Sequence, residues 1–229
     1  MKIIKPTKHL DDDNVTQAGL VHTVRRPDGD GPHPTVVLLH GRNGNEEVMW
    51  VFAHTLPDNL LLVAPRALKN GDDGQGYSWH PHDPDTWPTM GEFEEAVAAL
   101  EKFIATLPDL YQADLSQLYL MGFSQGAALG LSAMIHHPEL AQGLAALVGF
   151  LPLDHETLVA ERPLSERPIF MAVGTEDERI PLDLARSSAK AIRQAGSDLT
   201  YNEYETGHRI NRQGMRDLSV WWHKIFGNP

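Results

Sequence analysis

Residues 118–136 read LYLM, GFSQG, AALGLSAMIH, and the corner Gly122-Phe123-Ser124-Gln125-Gly126 separates two kinds of chain. The four residues before it form an apolar run of strand character. The ten after it are rich in Ala and Leu, as a buried helix is. A strand that turns straight into a helix leaves little room at the corner, so a Cβ at Gly122 or Gly126 would strike the neighbouring backbone. The serine between them sits on a strained turn that lifts its hydroxyl clear of the sheet. The helix behind it aims its first N–H groups at the same point, so the Gln125 amide can meet a developing negative charge. Phe123, beside the serine, is expected to line the pocket into which that hydroxyl projects.

Outward from the corner, short apolar runs recur at 35–39, 60–64, 118–121, 144–148 and 169–173. Nearly every position in them is apolar, the pattern of strands buried on both faces in a parallel sheet. Helical patterns alternate with them, which defines an α/β class with a mostly parallel central sheet and helices on both faces. Phe93, Val97, Leu100, Ile104 and Leu107 make one helical stripe behind the acidic turn Glu92, Glu94 and Glu95. Further helices are predicted from Ser124 to about His136, at 182–194 with Gly196 beyond its end, and at 212–225. Residues 15–25 read as one or two edge strands, closed by a turn at 26–31. A further strand is expected at 199–205.

The stretch 66–91 fits neither pattern and is longer than idle loops usually are. Within 69–95 lie seven acids and one base, so six of the chain's net negative charges gather there. The stretch is either a solvated, non-helical excursion or a wall of the substrate pocket; Tyr77, Trp79 and Trp87 are costly to leave in water, and Trp79 is expected on that wall.

Composition removes whole classes. The chain has 229 residues, a formal charge of −12 and no cysteine. A disulfide scaffold, thiolate metal sites and a Cys nucleophile are excluded. The negative balance, without a Lys/Arg cluster, argues against nucleic acid as a partner. No apolar run approaches the roughly 20 residues that span a bilayer, and residues 1–14 lack an apolar leader. A soluble, cytoplasmic protein with one domain over 1–229 is expected. His80 and His82 with Asp83 and Asp85 superficially suggest a metal site. Pro81 and Pro84 interleave them and no partner ligands are evident, so neither a metal nor another cofactor is expected. The oligomeric state is left open: exposed Trp and Phe could mark a homodimer face.

A second motif, LLHGRNGN at 38–45, runs from a buried strand through His-Gly into a glycine-containing turn. Such a turn offers a second amide donor, here the N–H of Arg42, while His40 can hold the loop by hydrogen bonding. Together LLHGRNGN, GFSQGAAL at 122–129, VGTEDERIP at 173–181 and TGH at 206–208 resemble the α/β-hydrolase superfamily. Within it the chain resembles the phospholipase/carboxylesterase family, which includes acyl-protein thioesterases. The resemblance spans 35–226. It departs at Arg42, where the family often has an apolar residue, and in the acidic stretch before Gly91.

The resemblance implies a Ser, acid, His order along the chain. Ser124 is the expected nucleophile and His208 the expected base, with His155 and His223 its weaker rivals. Asp177 is the expected acid, on the loop after the strand at 169–173. Asp154, after the preceding strand, is the alternative. His208 would take the serine proton, and Asp177 would hold the imidazole. The Arg42 and Gln125 amides would bind the tetrahedral oxyanion. The family implies short to medium carboxylic esters, lysophospholipids or thioesters, cleaved through an acyl-enzyme. A chain of this length leaves no room for a separate cap domain. The Arg42 side chain could meet an anionic substrate, or pair with Glu46 or Glu47. Two other functions stay open: a non-catalytic binding member of the same fold, and a peptidase or perhydrolase using the same three residues.

Overall fold

The computed structural model describes residues 7–9, 13–81, 83 and 85–227. Among these residues ten strands form: β1 (Thr7–His9), β2 (His22–Arg25), β3 (His33–Leu39), β4 (Leu61–Pro65), β5 (Lys69–Asn70), β6 (Tyr77–Ser78), β7 (Ala113–Phe123), β8 (Leu144–Leu147), β9 (Pro168–Gly174) and β10 (Asp198–Tyr204). Six helices accompany them: α1 (Asp13–Ala18), α2 (Glu94–Tyr111), α3 (Gln125–His136), α4 (Glu156–Ala160), α5 (Leu182–Gln194) and α6 (Arg212–Phe226). Eight strands make one sheet in the order β1-β2-β4-β3-β7-β8-β9-β10, while β5 and β6 pair apart as a small antiparallel ribbon. From β4 to β10 every pairing is parallel; β2 joins β4, and β1 joins β2, antiparallel.

Alternate residues of each strand point to opposite faces. Val37, Leu39, Leu120, Ile169 and Met171 enter one core beside α2, α3 and α5. Val36, Leu38, Met121, Phe170 and Ala172 enter the other, against Leu218, Trp221 and Trp222 of α6 and the 3₁₀ segment Val48–Thr55. Both faces are covered at the centre of the sheet, which is why 36–39, 61–64, 144–147 and 169–173 are apolar throughout. Among the described residues, no helix is long and apolar enough to cross a membrane.

Three expectations change. Residues 15–25 are not strand throughout: α1 occupies the first part, ends at Gly19 with φ +78°, and only His22–Arg25 is strand. The Asn14 side chain donates to Tyr111 of α2 at 3.1 Å, a tertiary tie that helps seat this short helix. Strand β7 begins at Ala113, well before 118, because pairing with β3 draws a polar segment into the ladder across a register shift at Pro34/Thr35. The irregular stretch 66–91 contains the β5–β6 ribbon and the 3₁₀ turns Asp72–Gly74 and Gly91–Phe93. The segment read for a leader falls mostly outside the described residues.

Candidate active site

Strand β7 ends at Phe123 and α3 begins at Gln125, so Ser124 alone makes the corner, at φ 52° and ψ −115°. That backbone is strained for a residue with a Cβ. It is over-determined by its surroundings: the Ser124 N–H donates to the Leu147 carbonyl at 2.8 Å, and its carbonyl accepts from Ala127 and Ala128 at 3.0 and 3.1 Å. A Cβ on Gly122 would overlap the Gly126 carbonyl, and one on Gly126 would overlap the Leu39 carbonyl. The glycines let α3 lie against β3 and β7 at this spacing.

Leu39 leads into the loop 40–46. Gly41 lies against the corner, since a Cβ there would stand 3.4 Å from Ser124 Cβ and 3.2 Å from the Phe123 ring. The backbone amides of Arg42 and Gln125 make no hydrogen bond among the described residues. His40 is wholly buried. Its Nδ1–H donates to the Gly41 carbonyl at 2.7 Å, and its Nε2 accepts from the Ala67 N–H at 3.0 Å. Burial pushes its pKa down from 6.5 to about 4. A neutral imidazole that accepts a buried amide is a brace for the loop, with no free lone pair for proton transfer.

This shift has a measurable sign. Unfolded, His40 binds a proton near pH 6.5; folded, only near 4. Above 6.5 both states are neutral. Between 6.5 and 4 the unfolded chain holds the extra proton, so stability falls as acid is added, by roughly 3 kcal/mol in all from this group. Urea denaturation at pH 7 and pH 4.5 is expected to show that loss in the wild type. In His40→Gln, whose side chain does not titrate, the loss should be smaller by roughly 2–3 kcal/mol.

The loops after β9 and β10 lie side by side. Thr175 N–H donates to the Tyr204 carbonyl at 2.8 Å, and Glu176 N–H to Thr206 at 3.0 Å. They bring Asp177 to His208: Nδ1 lies 2.8 Å from Oδ2 and 3.1 Å from Oδ1. A carboxylate only accepts, so Nδ1 carries a proton, and in the neutral imidazole the lone pair is left on Nε2. Asp177 Oδ1 also accepts from the Arg179 and Ile180 amides at 2.8 and 3.0 Å. The Asp177 side chain is only 2% exposed and that of His208 13%. Glu176 and Glu178 face solvent, as does Asp154. The other histidines considered are engaged elsewhere: His155 Nδ1–H donates to Pro152 and His223 Nδ1–H to Ser219, both at 2.7 Å.

Ser124, His208, Arg42 and Gln125 border one cavity of about 560 Å³. Two aromatic pairs form its walls. Phe123 stacks on Phe52 with centroids 6.1 Å apart and meets the His208 ring edge-on at 5.3 Å. Trp87 meets Phe150 edge-on at 5.1 Å. Phe123 lines the cavity; Trp79 does not. Trp79 is fully buried because its Nε1–H donates to the His40 carbonyl at 2.8 Å and its backbone N–H to Gln125 Oε1 at 2.8 Å. Gln125 Nε2 also donates to the His80 carbonyl at 3.2 Å, so the side chain that follows Ser124 pins residues 79–80. Trp87, from the same acidic stretch, stands on the wall instead. Val48, Met49, Val51 and Phe52 complete it; their apolar spacing was the only sequence signal for them.

The Arg42 side chain pairs with neither Glu46 nor Glu47. Its Nε lies 3.4 Å from Asp72 Oδ2, while Glu46 is taken by Arg66. Arg42 and Arg179 border the cavity together with Asp83 and Asp85, so its mouth carries both signs of charge. Of the residues weighed for a metal, His82 and Pro84 lie outside the described residues. The His80 ring packs edge-on against Phe93 at 4.6 Å.

A parallel sheet with a serine corner after its central strand, and an acid and a histidine on later loops, defines an α/β-hydrolase. The phospholipase/carboxylesterase family model matches residues 22–225. The chain belongs to that family. An acyl-protein thioesterase 1 from Candida albicans is 28% identical over 222 residues, covering 86% of this chain and 95% of that one. A rice protein named a probable inactive carboxylesterase (Oryza sativa subsp. japonica) is 26% identical over 205 residues, covering 83% and 84%. Among solved structures, the esterase PE8 has a TM-score of 0.81 at 24% identity, over 90% of this chain and 99% of that one, a likeness of fold.

Proposed function

We propose that this chain, as a single domain over 1–229, hydrolyses carboxylic esters with Ser124 as nucleophile, His208 as general base and acid, and Asp177 as its orienting carboxylate. The observation that carries this reading is the Asp177–His208 pair at 2.8 Å, whose imidazole borders the cavity that the strained Ser124 also borders. A serine hydroxyl does not ionise at neutral pH, so Nε2 of His208 takes its proton as Oγ attacks the acyl carbon. The imidazolium then protonates the leaving oxygen. Asp177 stabilises that cation without taking its proton. The Arg42 and Gln125 amides meet the oxyanion, each contributing on the order of 3 kcal/mol to the transition state. Water, activated by the same histidine, releases the acyl group. No cofactor enters this sequence of steps. The aromatic walls and a cavity of about 560 Å³ suit short to medium acyl chains, lysophospholipids or thioesters.

The competing reading is a binding protein of the same fold, and the rice relative's name gives it a specific footing. Labelling with a fluorophosphonate separates the two. The expected result is one adduct on the peptide that contains Ser124, together with turnover of p-nitrophenyl esters that depends on chain length. No adduct and no turnover, or an adduct elsewhere, would favour the binding protein.

A further inference from the structure

The loop 40–46 is held at both ends by two consecutive residues that follow β4. At its start, the Ala67 N–H donates to His40 Nε2 at 3.0 Å. At its far end, Arg66 donates Nε–H and Nη2–H to the two carboxylate oxygens of Glu46, at 2.7 and 2.8 Å. The Arg66 guanidinium lies 4.4 Å over the Tyr77 ring, and the Tyr77 N–H donates to the Gly44 carbonyl at 2.8 Å. The Arg42 amide sits between these fixed points.

The Glu46 side chain is 1% exposed and that of Arg66 21%. Burying a carboxylate costs free energy that a well-packed apolar pair would not, so stability alone is a weak reason for such a pair. What a two-pronged guanidinium–carboxylate contact adds is direction, because both donors must meet both acceptors in one plane. Glu46 spends that direction on the loop: its backbone carbonyl accepts from Thr23 Oγ1 at 2.8 Å and from Trp50 Nε1 at 3.0 Å.

We infer that Glu46 and Arg66 are a positioning pair that fixes where the Arg42 N–H points. This rests on the reading of that amide as an oxyanion donor. The pair touches no substrate. Loosening it displaces a donor that matters only once the acyl oxygen carries charge, so tetrahedral states lose affinity and planar ones do not.

The test uses Glu46→Gln and Arg66→Lys in the full chain. The second variant keeps the charge and loses the fork, and it serves should the first not fold. Four quantities are read for each: kcat and KM for p-nitrophenyl butyrate, Ki for an alkyl trifluoromethyl ketone, whose serine adduct is a tetrahedral oxyanion, and Ki for butyrate, which is planar. Expected are a fall in kcat of ~10- to 100-fold, KM within about twofold, a ketone Ki raised by the same factor as kcat falls, and an unchanged butyrate Ki. A folded variant with unchanged kcat and ketone Ki overturns the inference. So does a variant in which ketone and butyrate weaken together, the mark of general loosening. A wild type that neither turns over ester nor binds the ketone removes the hydrolase reading and this inference with it.

Discussion

Ser124→Ala is expected to lower kcat for a p-nitrophenyl ester on the order of 10⁶-fold, and Asp177→Asn about 10⁴-fold, with KM changed far less in both. The two losses differ because the residues act at different removes. Without Oγ there is no acyl-enzyme, and only the oxyanion donors and binding remain to accelerate attack by water. With Asn at 177 the hydroxyl survives, but the amide NH₂ turned toward His208 favours the tautomer whose proton sits on Nε2. The base then faces the serine with a proton where a lone pair is needed. The site is prepared for this difference: Asp177 already accepts two backbone amides besides His208, so an Asn keeps its carbonyl there and offers its NH₂ to the ring. Steady-state kinetics with active-site titration checks both numbers. Equal losses for the two variants would remove the serine from its assigned role.

The second large effect concerns backbone. Gly126→Ala places a methyl on the Leu39 carbonyl, with the His40 carbonyl only 2.6 Å away. Overpacking by one methyl usually costs roughly 1–3 kcal/mol, since side chains give way. Here the obstruction is the main chain that begins the loop 40–46, so a loss above about 4 kcal/mol is expected, together with displacement of the Arg42 amide. Gly207→Ala is the matching control. It too stands in a motif, next to His208, yet its added Cβ meets only the Glu176 carbonyl at 3.6 Å, an ordinary contact. It is expected to fold normally, within about 1 kcal/mol of wild type. Urea unfolding of both variants measures the contrast, and an equal effect would refute the packing account.

The clash at Gly126 is legible in the sequence, because the corner GFSQG leaves no room for a Cβ; the open space beside Gly207 is not. What was legible followed from period and adjacency. Strands buried on both faces carry runs such as Val36 to Leu39, and a strand abutting a helix across GFSQG has one geometric solution. The choice of Asp177 over Asp154 comes from the resemblance, which implies an acid on the loop after the strand at 169–173. Less was legible wherever a side chain's direction depends on a distant partner. Trp79 and Trp87 share a loop and a chemistry; Trp79 turns inward because Gln125, far along the chain, binds its backbone and His40 binds its indole. The same holds for Arg42, whose partner Asp72 lies in the acidic stretch, and for α1, whose six residues hold no helical period worth reading.

Among the residues bordering the cavity, Arg42, Ser124, Arg179 and His208 follow β3, β7, β9 and β10, and among the described strands β10 pairs with β9 alone. The proposed base, His208, therefore follows a strand at one edge of the sheet, held there by a single neighbour. That strand's ladder joins residues 198 and 168 across α5, so loop closure opposes the pairing before the hydrogen bonds reward it. On the proposed mechanism, turnover after refolding returns only when β10 has zipped onto β9. By that same proposed mechanism, a chain whose β10 has not yet docked holds Ser124 at its corner without the His208 that would activate it.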